Sequence, residues 1–382
     1  MKRILLAMAL LSAVPVFAQK KPKDNTPKSF DLLIGTYTTG ESKGIYVYRF
    51  YTETGATAYL NEVDGIDNPS YLCVAANNHF VYSVNEVGTE RKGSVSSFSF
   101  DPKEGRIALL NKQPSTGTGP CYISIDKAQK HVFVANYASG ALSVLPIAKD
   151  GTLLPVVQTI QDAGTGPNKA RQEGPHVHTA VLSPDEKYLL YTDLGTDKLN
   201  IYRYKPSQPQ PLTPADPSVV KVLGGHGPRH IDFTPDRKFM YLITEMGGVI
   251  YVYDYNKGEP KQLEAISIVA DGFKGAVGAA DIHVSPDGKF LYATNRGDAN
   301  EIVVFAINPD TGSLTFVERK PSMGKTPRNF VIDPTGNFLL VANQMSDDIY
   351  VYKRDKATGK LTLTRNKISV GNPSCLKFTP AE

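Results

Sequence analysis

The chain has 382 residues, a formal net charge of +4, 41% hydrophobic and 21% charged residues, 32 Gly, 27 Pro, 20 Tyr and no Trp. That balance excludes a disordered chain, and the scatter of basic residues beyond Lys20, Lys21, Lys23 and Lys28 excludes a nucleic-acid-binding patch. Length alone leaves one or two domains open, because repeat architectures hold such a length in one.

At the start of the chain, Lys2 and Arg3 precede an apolar run from Ile4 to Val14 and then Val16-Phe17-Ala18. This is the pattern of a cleavable secretory signal over residues 1–18, cut after Ala18. The run is too short to span a bilayer and no Cys follows it to accept lipid, so no membrane anchor is expected. A periplasmic or secreted protein is the expectation, and a cytoplasmic one only if the leader is no signal. Residues 19–29 form a polar linker, and residues 30–382 are expected to be one domain acting as a monomer.

From Asp31 onward the chain repeats one unit. "CYISIDKAQKHVFVANYASGALSVLPIAKDGTL", "ADIHVSPDGKFLYATNRGDANEIVVFAINPDTGSL" and "RNFVIDPTGNFLLVANQMSDDIYVYKRDKATGKL" each hold an alternating apolar strand, a tight turn and a hydrophobic strand closed by a polar residue. A polar loop, a β-branched and aromatic strand, a Gly turn and a fourth strand follow, which makes a four-stranded antiparallel meander. The residue ending the second strand recurs as Thr36, Asn85, Asn136, Asp193, Thr244, Asn295 and Asn343, about 50 residues apart. First strands begin near Ser70, Cys121, His178, Arg229, Ala280, Arg328 and Ser374. The last of these has no strand after it, whereas the segment at Asp31 supplies strands two to four with no first strand before them. The two ends must complete one blade, giving an all-β, seven-bladed β-propeller closed by its C-terminal strand. A WD40 array would have shorter units and Trp-Asp, and a doubly wound α/β fold would need helical periodicity.

Because first and second strands are antiparallel, the start of one and the end of the other meet on one face. The strand starts form one ring around the channel there. The loop residues Tyr37, Glu86, Tyr137, Leu194, Glu245, Arg296 and Gln344 form a second. Arginines, carboxylates, tyrosines and histidine around one opening make an anion-binding, acid/base-capable funnel. In "EGPHVHTA", strand alternation puts His176 and His178 on one side. His230, next to Arg229, is expected to point the other way and to serve packing or hydrogen bonding, and His226 and His283 are expected to be structural. The His176/His178 pair lacks a third ligand at a recognisable spacing, so no metal is expected. The turns at Ser183-Pro184-Asp185, Thr234-Pro235-Asp236 and Ser285-Pro286-Asp287 join strand one to strand two and belong to the far face. Cys73, Cys121 and Cys375 lie in first strands with no CxxC spacing and are expected to be buried free thiols.

The segments "GPHVHTAVLSPDEKYLLYTDLGTDKLNIYRY", "GGHGPRHIDFTPDRKFMYLITE", "SPDGKFLYATNRG" and "TPRNFVIDPTGNFLLVAN" resemble the seven-bladed lactonase family, which includes propeller-type 6-phosphogluconolactonases and a carboxymuconate lactonizing enzyme. The resemblance runs from about Phe30 to Pro380. It implies hydrolysis of an anionic sugar lactone without a cofactor, and it puts catalytic or binding roles on His178 with its neighbour His176, on Arg229, on Glu245 and on Arg296. The chemistry would use Glu245 or His178 as base to activate water and Arg229 as donor to the oxyanion. Arg296 and Arg328 would hold phosphate or carboxylate, and Tyr137 and Gln344 would orient hydroxyls. There is no GxSxG nucleophile motif, so direct attack by water is expected. A secretory leader fits poorly with the cytoplasmic phosphorylated lactone of that family and points to another lactone. Two rivals stay open on the same scaffold: a lactonizing lyase acting on an unsaturated dicarboxylic acid, and a non-enzymatic binding or scaffold propeller.

Overall fold

A computed structural model describes residues 27–87, 92–256 and 258–382. The predicted signal segment lies outside the described residues. Strands β1 (Ser29–Thr36), β2 (Gly44–Tyr51) and β3 (Thr57–Asp64) form the first sheet. The next blades are β4 (Leu72–Val74), β5 (Phe80–Asn85), β6 (Ser94–Asp101), β7 (Arg106–Pro114), then β8 (Pro120–Ile125), β9 (His131–Asn136), β10 (Ala141–Pro146), β11 (Gln158–Gln161). They are followed by β12 (Val177–Leu182), β13 (Tyr188–Asp193), β14 (Lys198–Tyr204), β15 (Leu212–Lys221) and β16 (Pro228–Phe233), β17 (Phe239–Thr244), β18 (Val249–Asn256), β19 (Glu259–Ser267). The last two are β20 (Ala279–Val284), β21 (Phe290–Asn295), β22 (Glu301–Ile307), β23 (Leu314–Pro321) and β24 (Pro327–Ile332), β25 (Phe338–Asn343), β26 (Asp348–Arg354), β27 (Leu361–Ser369). The final strand β28 (Pro373–Pro380) pairs with β1, so the order β28-β1-β2-β3 completes the seventh four-stranded blade.

The first strands β4, β8, β12, β16, β20, β24 and β28 contact one another in a closed ring around the axis. Each second strand ends on the polar residue that set the period, from Thr36 to Asn343. These residues are all buried, and they fasten the loops at this face. Asp193, for example, accepts from the backbone N–H groups of His176 and Gly195 at 2.7 and 3.0 Å, and Asn295 accepts from Gly278 N–H at 3.1 Å.

Apolar side chains of neighbouring blades interdigitate, as where Tyr241, Ile243, Ile250 and Val252 pack with Ile282, Leu291, Val303 and Phe305. On the far face a repeated clasp joins the blades. Tyr82, Tyr241 and Tyr292 donate their hydroxyls to the carbonyls of Gly151, Gly312 and Gly359 in the next blade at 3.1, 2.9 and 2.7 Å. Gly312 sits at φ +71, and a Cβ there would run into the ring of Phe239, so the turn between third and fourth strands needs glycine for its conformation and for the close approach.

One departure from regular pleating positions the site. In six blades the register between first and second strands slips at the ring position, leaving Cys121, His178, Arg229, Arg328 and Ser374, and Ala280 with Asp281, outside the ladder. Such a bulge re-aims a side chain and breaks the strict alternation of faces. In the remaining blade β4 starts at Leu72, so Ser70 occupies the equivalent place just ahead of the strand. The bulges therefore turn the first ring toward the channel mouth.

Candidate active site

The second ring is held by one hydrogen bond repeated seven times. The backbone N–H of Tyr37, Glu86, Tyr137, Leu194, Glu245, Arg296 and Gln344 donates to the carbonyl of Asn372, Asn68, Gly119, His176, Gly227, Gly278 and Thr326 respectively, at 2.7 to 3.0 Å. Each acceptor lies two residues before a first-ring residue, so the two rings are locked in register. The mouth they enclose is a cavity of about 350 Å³ lined by Tyr37, Glu86, Cys121, Tyr137, Arg171, His178, Glu245, Arg296 and Arg328.

Glu245 is the hub of this cavity. One carboxylate oxygen accepts from Arg171 Nη2 at 2.7 Å, and the other accepts from Arg229 Nε at 3.0 Å and faces Arg296 Nη2 at 2.9 Å. Burial alone would raise its carboxyl, but the charges of Arg296 and Arg229 outweigh burial and hold it well below the usual carboxylate range. Arg229 is almost fully buried at 1% exposure. Its Nη1 donates to Ala280 O at 2.6 Å and to His230 Nε2 at 3.2 Å. Burial and the neighbouring Arg296 and Arg328 bring its pKa down to about 10.

Arg328 differs from these. Its guanidinium makes no hydrogen bond or ion pair among the described residues and lies over the Tyr37 ring, 5.4 Å from the centroid. The Tyr37 hydroxyl donates to Glu86 Oε2 at 2.7 Å, and Ser70 Oγ bonds the same oxygen.

His178 is buried, with its edge against Tyr137 at 5.6 Å and against His230 at 5.3 Å between centroids, and its Nδ1 has no hydrogen-bond partner among the described residues. Burial and then the charges of Arg229 and His230 keep its imidazole neutral, far below the ordinary histidine pKa. His176 stacks on Tyr137 at 4.4 Å and bonds Tyr137 O through Nδ1 at 3.0 Å, so it supports the cavity wall from behind.

Beneath the cavity lies a smaller polar chamber lined by Ser70, Tyr71, Cys121, His178, Arg229, His230, Arg328, Asn329 and Ser374. Here His230 departs from its expected orientation. The bulge at Arg229 removes the alternation on which that expectation rested, and both side chains reach the channel. His283 joins the same buried group through Asp281 at 3.1 Å, and His226 bonds the Tyr251 hydroxyl at 3.1 Å.

Two loop-ring positions fall outside the cavity. Leu194 is fully buried in the loop frame. Gln344 opens a short 3-10 turn, Gln344–Ser346, and its side chain is not among the cavity's lining residues. Arg171, which the repeat does not reveal, belongs to the cavity. It sits between Gln161 and Val177, the longest link between a fourth strand and the next first strand. Buried Gln172 pins that link through Leu194 O at 2.9 Å and the Asn168 N–H at 3.1 Å, which brings Arg171 over Glu245 and within 3.3 Å of the Tyr137 hydroxyl. The unusual length of the link was the available signal.

The three cysteines are buried free thiols, and burial pushes the Cys121 thiol well up, which makes it a poor nucleophile. The Ser-Pro-Asp and Thr-Pro-Asp turns lie on the far face, where Ser183, Thr234 and Ser285 hydroxyls bond Asp185, Asp236 and Asp287 at 2.7, 2.6 and 2.6 Å. Among the described residues no group of three His, Cys, Asp or Glu is placed to hold a metal ion.

Residues 31–378 match the family described as "Lactonase, 7-bladed beta-propeller". The chain is 37% identical over 347 residues to a 6-phosphogluconolactonase of Bacillus subtilis, across 90% of this chain and 97% of that one. Among solved structures it is similar to a candidate 6-phosphogluconolactonase of Bacteroides fragilis, with 41% identity and a TM-score of 0.89 over 94% of this chain and 100% of the other. It is also similar to a periplasmic gluconolactonase of Pseudomonas aeruginosa, with 40% identity and a TM-score of 0.88 over 93% and 100% of the two chains.

Proposed function

This chain belongs to the 7-bladed β-propeller lactonase family, and on that premise we propose that it hydrolyses an anionic sugar lactone to its aldonic acid by direct attack of water. The observation that carries the proposal is the convergence, around the small polar chamber at the base of the cavity, of a neutral histidine with an unpartnered ring nitrogen, an arginine with unused donors and a second arginine with no hydrogen-bond or ion-pair partner among the described residues.

Of the five Arg229 N–H groups, Nε serves Glu245 and the two on Nη1 serve Ala280 O and His230, which leaves Nη2 without a hydrogen-bond partner among the described residues, at the chamber that His178 and Arg328 also line. In the reaction His178 takes a proton from water as the oxygen attacks the lactone carbonyl carbon. The carbonyl oxygen becomes an oxyanion, which Arg229 Nη2 stabilises. The ring C–O bond then breaks, the departing ring oxygen takes the proton from His178, and the product is the open hydroxy acid. His178 is favoured over Glu245 as the base. A carboxylate shared by three guanidinium groups is stabilised in its charged form and is a weak proton acceptor. Glu245 instead holds the arginines converged.

The cavity carries Arg171, Arg296 and Arg328 against Glu86 and Glu245, with Arg229 in the chamber beneath, so positive charge is in excess. A substrate anion beside Arg328 offsets that excess and makes His178 more basic in the complex than in the free protein. Arg328→Met should therefore raise KM for an acidic lactone by about 10- to 100-fold, the loss of one charge-assisted contact, with kcat changed little. KM for a neutral lactone should stay as it was. Steady-state kinetics on the two substrates decides this, and equal losses on both would contradict the anion-anchor role. The signal-like sequence pattern of residues 1–18 and the likeness to a periplasmic gluconolactonase support action outside the cytoplasm, by one domain over residues 30–382.

A further inference from the structure

Behind Arg229, deeper in the channel, lies a hydrogen-bond chain that the proposed chemistry does not use directly. His230 Nδ1 is 2.7 Å from Asp281 Oδ1, and His230 Nε2 is 3.2 Å from Arg229 Nη1. A guanidinium only donates, so Nε2 must accept and the His230 proton must reside on Nδ1, shared with Asp281. Asp281 is itself fixed. It is buried at 1% exposure, its Oδ2 accepts from Asn329 Nδ2 and from Phe330 N–H at 3.2 Å, and His283 Nε2 lies 3.1 Å from the same oxygen. Tyr122 and His178 flank the His230 ring at 5.4 and 5.3 Å between centroids.

We propose that His230, oriented by Asp281, is a positioning residue for Arg229: by accepting one Nη1 hydrogen it fixes the plane of the guanidinium so that Nη2 points at the developing oxyanion. The Ala280 carbonyl and Glu245 hold the other edges of Arg229, and His230 supplies the remaining restraint against rotation and tilt. The inference rests on the lactonase reading for its kinetic consequence, though not for its geometry.

Two near-isosteric variants separate the two links of the chain. His230→Gln can place an amide oxygen where Nε2 stood and keep the bond from Arg229. His230→Asn can keep a donor to Asp281 but cannot reach Arg229. With folding of each variant checked by its thermal transition, His230→Asn should lower kcat by about 10- to 100-fold at nearly constant KM, the usual result of loosening a catalytic group by about 1 Å. His230→Gln should stay within about threefold of the parent. Equal kcat in the two variants, or a lower kcat for His230→Gln, overturns the proposal, because a purely structural histidine has no reason to distinguish them in this sense.

A second measurement needs neither turnover nor a variant that folds well. Imidazole ¹⁵N shifts of the parent protein at neutral pH should show the His230 ring with Nδ1 protonated and Nε2 an acceptor. An Nε2-protonated or doubly protonated ring overturns the proposal. A parent protein that opens no lactone but shows the Nδ1–H tautomer would refute the lactonase reading and leave the positioning geometry standing.

Discussion

Arg229→Ala should lower kcat for lactone opening by about 10²- to 10³-fold, the effect of removing a donor from a preorganised oxyanion site. The loss belongs to turnover because the Nη2 hydrogens meet their strongest acceptor only once the carbonyl oxygen carries charge. The fold should survive, since Glu245 keeps Arg296 and Arg171 as partners at 2.9 and 2.7 Å. Arg229→Lys should rescue little. One ammonium cannot serve Glu245, Ala280 O, His230 and the substrate from a single point, whereas the planar fork does so at once. A turnover loss below about threefold in Arg229→Ala would remove Arg229 from the chemistry.

Glu245→Gln should act first on stability. The carboxylate is 7% exposed, and the substitution removes the negative charge around which Arg229, Arg296 and Arg171 converge. Leaving buried charges uncompensated in this way costs about 3–5 kcal/mol. The buried Arg229 and Arg296 account for most of that, because Arg171 is 45% exposed and is screened by solvent. Chemical denaturation measures the effect directly. Millimolar sulfate or phosphate should restore part of the loss, since an anion bound only by the folded state stabilises it. A change below about 1 kcal/mol would mean that the arginines do not depend on Glu245.

The fold could be read from the chain because each blade repeats the same polar closing residue. Asp193 and Asn295 hold equivalent loops by equivalent bonds, so their spacing alone places the second strands and, through them, the first. The places of His178, Glu245, Arg296 and Arg328 at the cavity and of Arg229 in the chamber beneath it followed from that register, as did the complementation of β28 with β1. What the register does not carry is local irregularity. His230 was assigned to the wrong side because alternation holds only where pairing is regular, and the ladder slips at Arg229. Gln344 left the site because its loop coils into a 3-10 turn while the Glu245 loop does not. Arg171 was missed for the opposite reason. It sits in a link with no counterpart in the other blades, so no comparison between units could point to it. Tyr137 and His176 share an intermediate status, since their place at the rim was legible but their stacking at 4.4 Å was not.

The most direct test of the account is acid release when the purified protein is mixed with an aldonolactone, phosphorylated in one arm and unphosphorylated in the other, with spontaneous hydrolysis subtracted. The account predicts turnover in at least one arm, lowered about 10²- to 10³-fold by Arg229→Ala and weakened for the acidic substrate by Arg328→Met. Tight binding of the lactones with no release of acid above the spontaneous rate in either arm would contradict it and leave the cavity as a binding site for sugar acids.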